Sequence, residues 1–110
     1  MMPPLVKSPR FLDDLDRIVE WYLEEADEEV ARRFVNAVSL TLKTIQRNPS
    51  LGRLRFPKLE DLRTVRSRLV EPPFNRYIVF YQAQPEAFRA VRLIHGARDL
   101  PRRFQEPASE

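Results

Sequence analysis

The chain holds one histidine among its 110 residues, at the end of an apolar run: Val91-Arg92-Leu93-Ile94-His95, then Gly96, Ala97, Arg98 and Asp99. Imidazole is the one side chain whose unperturbed pKa lies near neutrality, so His95 is a candidate acid or base. Upstream, Arg63, Arg66, Arg68 and Arg76 offer guanidinium groups suited to bidentate contact with carboxylate or phosphate. Against chemistry stands a simpler expectation, that His95 shapes a strand end by hydrogen bonding to neighbouring backbone. Gly96 then provides a turn with unusual dihedrals. Arg98 and Asp99 form a local ion pair or cap the following turn.

The wider composition narrows the chemistry. The absence of cysteine excludes disulfides, thiolate metal sites and cysteine nucleophiles, and a single histidine leaves no metal or cofactor site expected. The net charge of +3 is unevenly spread. Residues 1–52 carry 7 Lys+Arg against 9 Asp+Glu, residues 53–103 carry 12 against 5, and residues 104–110 carry two Glu and no base. A cationic segment of this kind suits an acidic protein or a nucleic acid, and charge does not choose between them. No apolar run approaches the roughly 20 residues of a membrane span, and the start lacks the pattern of a signal peptide, so a cytoplasmic protein without a membrane partner is expected.

The elements that must position these residues are legible in order. Leu5-Val6-Lys7 reads as a short edge strand. Ser8-Pro9 signals a helix start, and Phe11, Leu12, Leu15, Ile18, Val19 and Tyr22 fall on one helix face. The pattern restarts at Asp27, with Val30, Phe34, Ala37, Val38, Leu42 and Ile45 as a second stripe, until Asn48-Pro49 stops it. The short connection makes the two helices an antiparallel hairpin. Ser50 to Asp61 reads as a loop. Leu62 to Val70 alternates as a strand with Arg66 and Arg68 on one side, Tyr77 to Tyr81 is a central strand, and Phe88 to Ile94 is the last. The fold class is therefore α+β: an N-terminal strand, then an antiparallel two-helix hairpin packed on a C-terminal three-stranded antiparallel sheet. One sheet face is buried, and the other presents Arg66 and Arg68. Residues 1–104 form a single domain, and residues 105–110 a polar tail.

This ordered set of segments resembles the ParE/RelE superfamily of bacterial toxins from type II toxin–antitoxin systems. The resemblance spans about residues 5–101 and is carried by Asp14-Leu15 and Ile18, Ala31 and Phe34, the Asn48-Pro49-Ser50-Leu51-Gly52-Arg53 loop and an arginine strand. Its most specific parts are Arg76-Tyr77-Ile78-Val79-Phe80-Tyr81 and Leu93-Ile94-His95-Gly96-Ala97-Arg98-Asp99. It is closest to the ParE branch. What that branch implies is a toxin that inhibits DNA gyrase by binding it and is neutralised by a cognate ParD-like antitoxin of the ribbon-helix-helix type. Arg63, Arg66, Arg68, Arg76, His95 and Arg98 are then candidates for contact with target or antitoxin, and Gly96 and Asp99 belong to the structural motif. Arg63, Arg66 and Arg68 all stay open as the match to the family's strand arginine, because Pro72-Pro73 obscures the register.

The alternative branch is RelE-like, a ribosome-dependent mRNA endonuclease. Cleavage through the 2′-hydroxyl needs a proton acceptor, cations for the phosphate and a donor to the leaving oxygen. No tyrosine follows Tyr81, and Phe104 stands where a late aromatic acid or base is expected. A third reading is a non-toxic homologue that binds antitoxin. With His95 read as structural, no catalytic residue is assigned.

Overall fold

The structure is a computed structural model and describes residues 3–96. Its first strand, β1 (Leu5–Lys7), gives way to α1 (Pro9–Glu25) at Ser8, whose hydroxyl accepts a hydrogen bond from the Phe11 N–H at 3.0 Å. Pro9 sits in the first turn, where its missing N–H costs nothing. Helix α2 (Glu28–Arg47) begins in the same manner, the Asp27 carboxylate accepting from the Val30 N–H at 2.9 Å. Glu28 and Glu29 in its first turn and Arg47 in its last complement the helix dipole. Both helices therefore start where the caps placed them.

The remaining strands are β2 (Arg53–Leu54), β3 (Arg66–Leu69), β4 (Tyr77–Ala83) and β5 (Phe88–His95). They form one five-stranded sheet in the order β1-β5-β4-β3-β2, with β1 parallel to β5 and every other pair antiparallel. The α+β class and the antiparallel β3-β4-β5 core agree with the sequence reading, while the sheet is wider. β1 joins it at one edge, and β2 arises inside the segment expected to be loop. The strand expected over Leu62 to Val70 contracts to Arg66–Leu69, because Glu60–Leu62 closes as a 3-10 turn that directs Leu62 inward.

Two apolar clusters sandwich the sheet. On the helix side, Phe11, Phe34, Val38, Leu42 and Ile45 pack on Val79, Tyr81, Phe88, Ala90 and Leu93. On the other side, Phe56, Leu62 and Val65 from the irregular segment close over Ile78, Phe80 and Ile94, with the Phe56 and Phe80 rings stacked at 5.8 Å. The expectation of one open sheet face carrying Arg66 and Arg68 is thereby corrected. Pairing puts Arg66 opposite Tyr81 and Arg68 opposite Val79, so both arginines lie on the helix side of the sheet, near its β2 edge.

Candidate partner-binding surface

The arginines divide by what their guanidinium groups touch. Arg92 donates from Nε to Asp14 Oδ2 at 2.7 Å and from Nη2 to Asp14 Oδ1 at 3.0 Å, with only 9% and 11% of the two side chains exposed. Asp14 Oδ2 also accepts from the Leu93 N–H at 2.9 Å. The β4-β5 register shifts between Phe80 and Tyr81, which pair with Arg92 and Ala90, leaving Val91 as the extra residue of a bulge. The Val91 carbonyl accepts from the Ser8 hydroxyl at 2.8 Å. Helix α1 and its cap thus satisfy the Val91 carbonyl at the bulge and the Leu93 N–H beyond the last residue paired with β1, and Arg92 belongs to that junction.

Arg66 is also engaged. Its Nη1 donates to the Gly52 carbonyl at 2.7 Å. Beside it, the buried Tyr81 hydroxyl donates to the Pro49 carbonyl at 2.7 Å and accepts from the Gly52 N–H at 2.8 Å. These bonds hold the Pro49–Arg53 turn against the sheet. A Cβ on Gly52 would lie 2.8 Å from both the Ser67 carbonyl oxygen and the Tyr81 ring, so close approach is what requires glycine there. Burial raises the Tyr81 pKa, opposed by the Gly52 N–H and by the nearby Arg66 and Arg68 charges. This hydroxyl is a clamp and stays protonated at neutral pH.

The other candidates remain at the surface. Arg63, Arg76 and His95 are exposed, and Arg68 is half-buried, its buried Nε making no hydrogen bond among the described residues. The His95 ring packs edge-on against Tyr77 at 5.1 Å. Burial, then a hydrogen bond with Tyr22, pushes the Tyr77 hydroxyl up to about 12. Gly96 has no positive φ, correcting the expected turn with unusual dihedrals. Its N–H donates to the Arg76 carbonyl at 2.6 Å, and a Cβ would sit 3.1 Å from that oxygen. Arg98 and Asp99 lie outside the described residues.

These groups do not converge on one reacting atom. His95 pairs with Tyr77 across one edge of β4, whereas Arg66 pairs with Tyr81 across the other. Four residues of strand separate those two pairs, roughly 13 Å at the usual rise, with two interstrand spacings in addition. Among the described residues there is no cluster of His, Cys, Asp and Glu able to hold a metal, and no helix long and apolar enough to cross a membrane.

The fold defines a small α+β protein with arginines along one edge of its sheet. Comparison with known families then identifies it: the model of the ParE toxin of type II toxin–antitoxin systems, parDE, matches residues 5–100, and the chain belongs to this family. A chain of the solved structure "Chromosomal ParDE TA system from P. aeruginosa" has the same fold, with a TM-score of 0.71 at 19% sequence identity. The match covers 87% of this chain and 98% of that one. No curated protein matches the sequence.

Proposed function

We propose that this member of the ParE toxin family arrests growth in the cytoplasm by binding DNA gyrase and is held inactive by a cognate antitoxin. The observation that carries this reading over RNA cleavage is the separation of His95 from Arg66. In-line attack on one phosphate needs acid, base and cation within hydrogen-bond reach of it, and these side chains sit on opposite sides of β4. Neither paired tyrosine supplies a base at neutral pH, since burial raises both pKa values. Exposed Arg63 and Arg76, half-buried Arg68, and His95 form the surface that meets target or antitoxin, with Arg98 as a further candidate. Arg66 acts indirectly by holding the Pro49–Arg53 turn.

The antitoxin is expected to be acidic and ribbon-helix-helix in type, with a segment that orders on binding; opposite charge accelerates that encounter. The test is induction of the chain alone, followed by assays for gyrase-linked DNA breaks and for mRNA cuts on the ribosome. Breaks without cuts are expected. Cuts without breaks would replace this reading with the RelE-like endonuclease, and normal growth at confirmed soluble expression would leave a non-toxic antitoxin-binding homologue.

A further inference from the structure

Beside β3 the sheet ends in an open groove of about 500 Å³, within the roughly 300–1,000 Å³ usual for small-ligand sites. Three arginines line it, and they reach it from two sides. Arg53 pairs with Ser67 and so shares that residue's face of the sheet, whereas Arg68, next along β3, belongs to the opposite face. Arg55 follows two positions after Arg53 and completes the set. None of the three pairs with a carboxylate among the described residues, and the buried Arg68 Nε has no hydrogen-bond partner there. Like charges gathered round one hollow repel each other, and an anion between them removes that cost. The backbone adds a donor. The Val70 N–H donates to the Tyr77 carbonyl at 2.9 Å, so strand alternation turns the N–H and C=O of Leu69 away from β4. On that outer side β2 pairs only with Arg66 and Ser67 and stops short of Leu69.

We propose that this groove binds a nucleoside diphosphate or triphosphate, its phosphates held at the open sheet edge by Arg53, Arg55 and Arg68. The site goes beyond the toxin reading and does not depend on it. Phosphate oxygens meet the guanidinium groups in charge-assisted hydrogen bonds and accept from the Leu69 N–H, since a sheet edge can form an anion-binding concavity. The rest of the groove suits a nucleoside better than further phosphate. Glu71, four positions beyond Ser67 along the chain, presents a carboxylate that accepts from ribose hydroxyls and repels a second anion. Leu69, 51% exposed, and Leu51, 41% exposed, offer apolar surface to the base. A nucleic-acid polymer fits less well, because its phosphates recur along the strand and call for a basic track. Here the acid at Glu71 interrupts any such track.

The test is calorimetric titration of the full chain with ADP, inorganic pyrophosphate and a short oligothymidylate lacking a terminal phosphate, with the Leu69 amide followed by NMR. ADP is expected to bind in a salt-sensitive manner, to shift the Leu69 amide, and to bind at least about tenfold more tightly than pyrophosphate. Arg53→Ala and Arg68→Ala should each weaken ADP about tenfold, as for loss of a charged hydrogen bond. Arg89→Ala, an exposed charge on β5, should leave it unchanged. Glu71→Gln should weaken ADP yet tighten pyrophosphate, a split that general damage to the fold does not produce. No binding of ADP, or equal binding by the Arg53 and Arg68 variants, overturns the proposal. Pyrophosphate binding as tight as that of ADP removes the nucleoside from it and refutes it as stated. Oligothymidylate that displaces ADP and binds more tightly assigns the groove to nucleic acid instead.

Discussion

The two edges of this sheet use arginine in opposite ways. At the β5 side, Arg92 is nearly buried and locked to Asp14, which also holds the Leu93 N–H, so charge and backbone are satisfied together. At the β3 side, Arg53 is exposed, Arg55 and Arg68 are half-buried, and the pairing with β2 stops after two residues. A charge taken out of water is tolerable only with a fixed counter-charge and full hydrogen bonding. A charge left at the surface, as on exposed Arg53, keeps its hydration. The contrast separates an arginine locked into the fold from arginines left at the rim of the sheet. Arg66 stands between them, near the open edge yet spent on the Gly52 carbonyl.

The sharpest challenge to that division is Asp14→Ala, which removes the carboxylate that both the Arg92 guanidinium and the Leu93 N–H bond. Breaking a buried pair from one side costs about 3–5 kcal/mol, measurable by urea unfolding; a loss near zero would mean that Arg92 is satisfied without Asp14. Next is Tyr81→Phe, which removes the donor to Pro49 and the acceptor for Gly52. About 1–3 kcal/mol is expected for the groups left unpaired, together with faster amide exchange at Gly52.

A smaller effect is set by pH. Because the folded Tyr77 pKa is raised from 10.0 to about 12, the unfolded chain loses its proton first as pH climbs. The stability Tyr77 contributes is complete below pH 10 and is lost as pH rises toward about 12. Tyr81 acts in the same direction. Urea midpoints at mildly and strongly alkaline pH should therefore fall for the native chain and fall less for Tyr77→Phe. The smallest change in stability is expected from Arg68→Ala, within about 0.5 kcal/mol as for a surface substitution, accompanied by weaker partner binding.

Much of the fold was legible because local chemistry and global packing agree. Ser8 and Asp27 mark caps, and the stripes led by Phe11 and Phe34 have helical spacing. Tyr77 to Tyr81 has the apolar density of a strand covered on both faces. What the sequence hid has a common physical cause, that long-range pairing leaves no local period. A two-residue strand such as β2 has no alternation to detect. Phe56, Leu62 and Val65 meet over Phe80 only after an irregular chain folds back, so the second core looked like loop. Spacing placed Arg66 and Arg68 on one side of a strand, yet could not tell that Arg66 faces Gly52. Asp14 and Arg92 lie 78 positions apart, and no motif announces their bond. Arg53 and Arg55 were visible as charges in a loop, without the two-residue strand that brings Arg53 beside Ser67.

The most direct measurement is thermal unfolding of Arg92→Ala beside Arg68→Ala under identical conditions. The division of arginines requires Arg92→Ala, which leaves the nearly buried Asp14 carboxylate without its cation, to lower the melting temperature by more than about 10 °C. Arg68→Ala should shift it by no more than about 4 °C. Equal losses in the two variants would contradict the account, because the open edge would then be as much a part of the fold as the closed one.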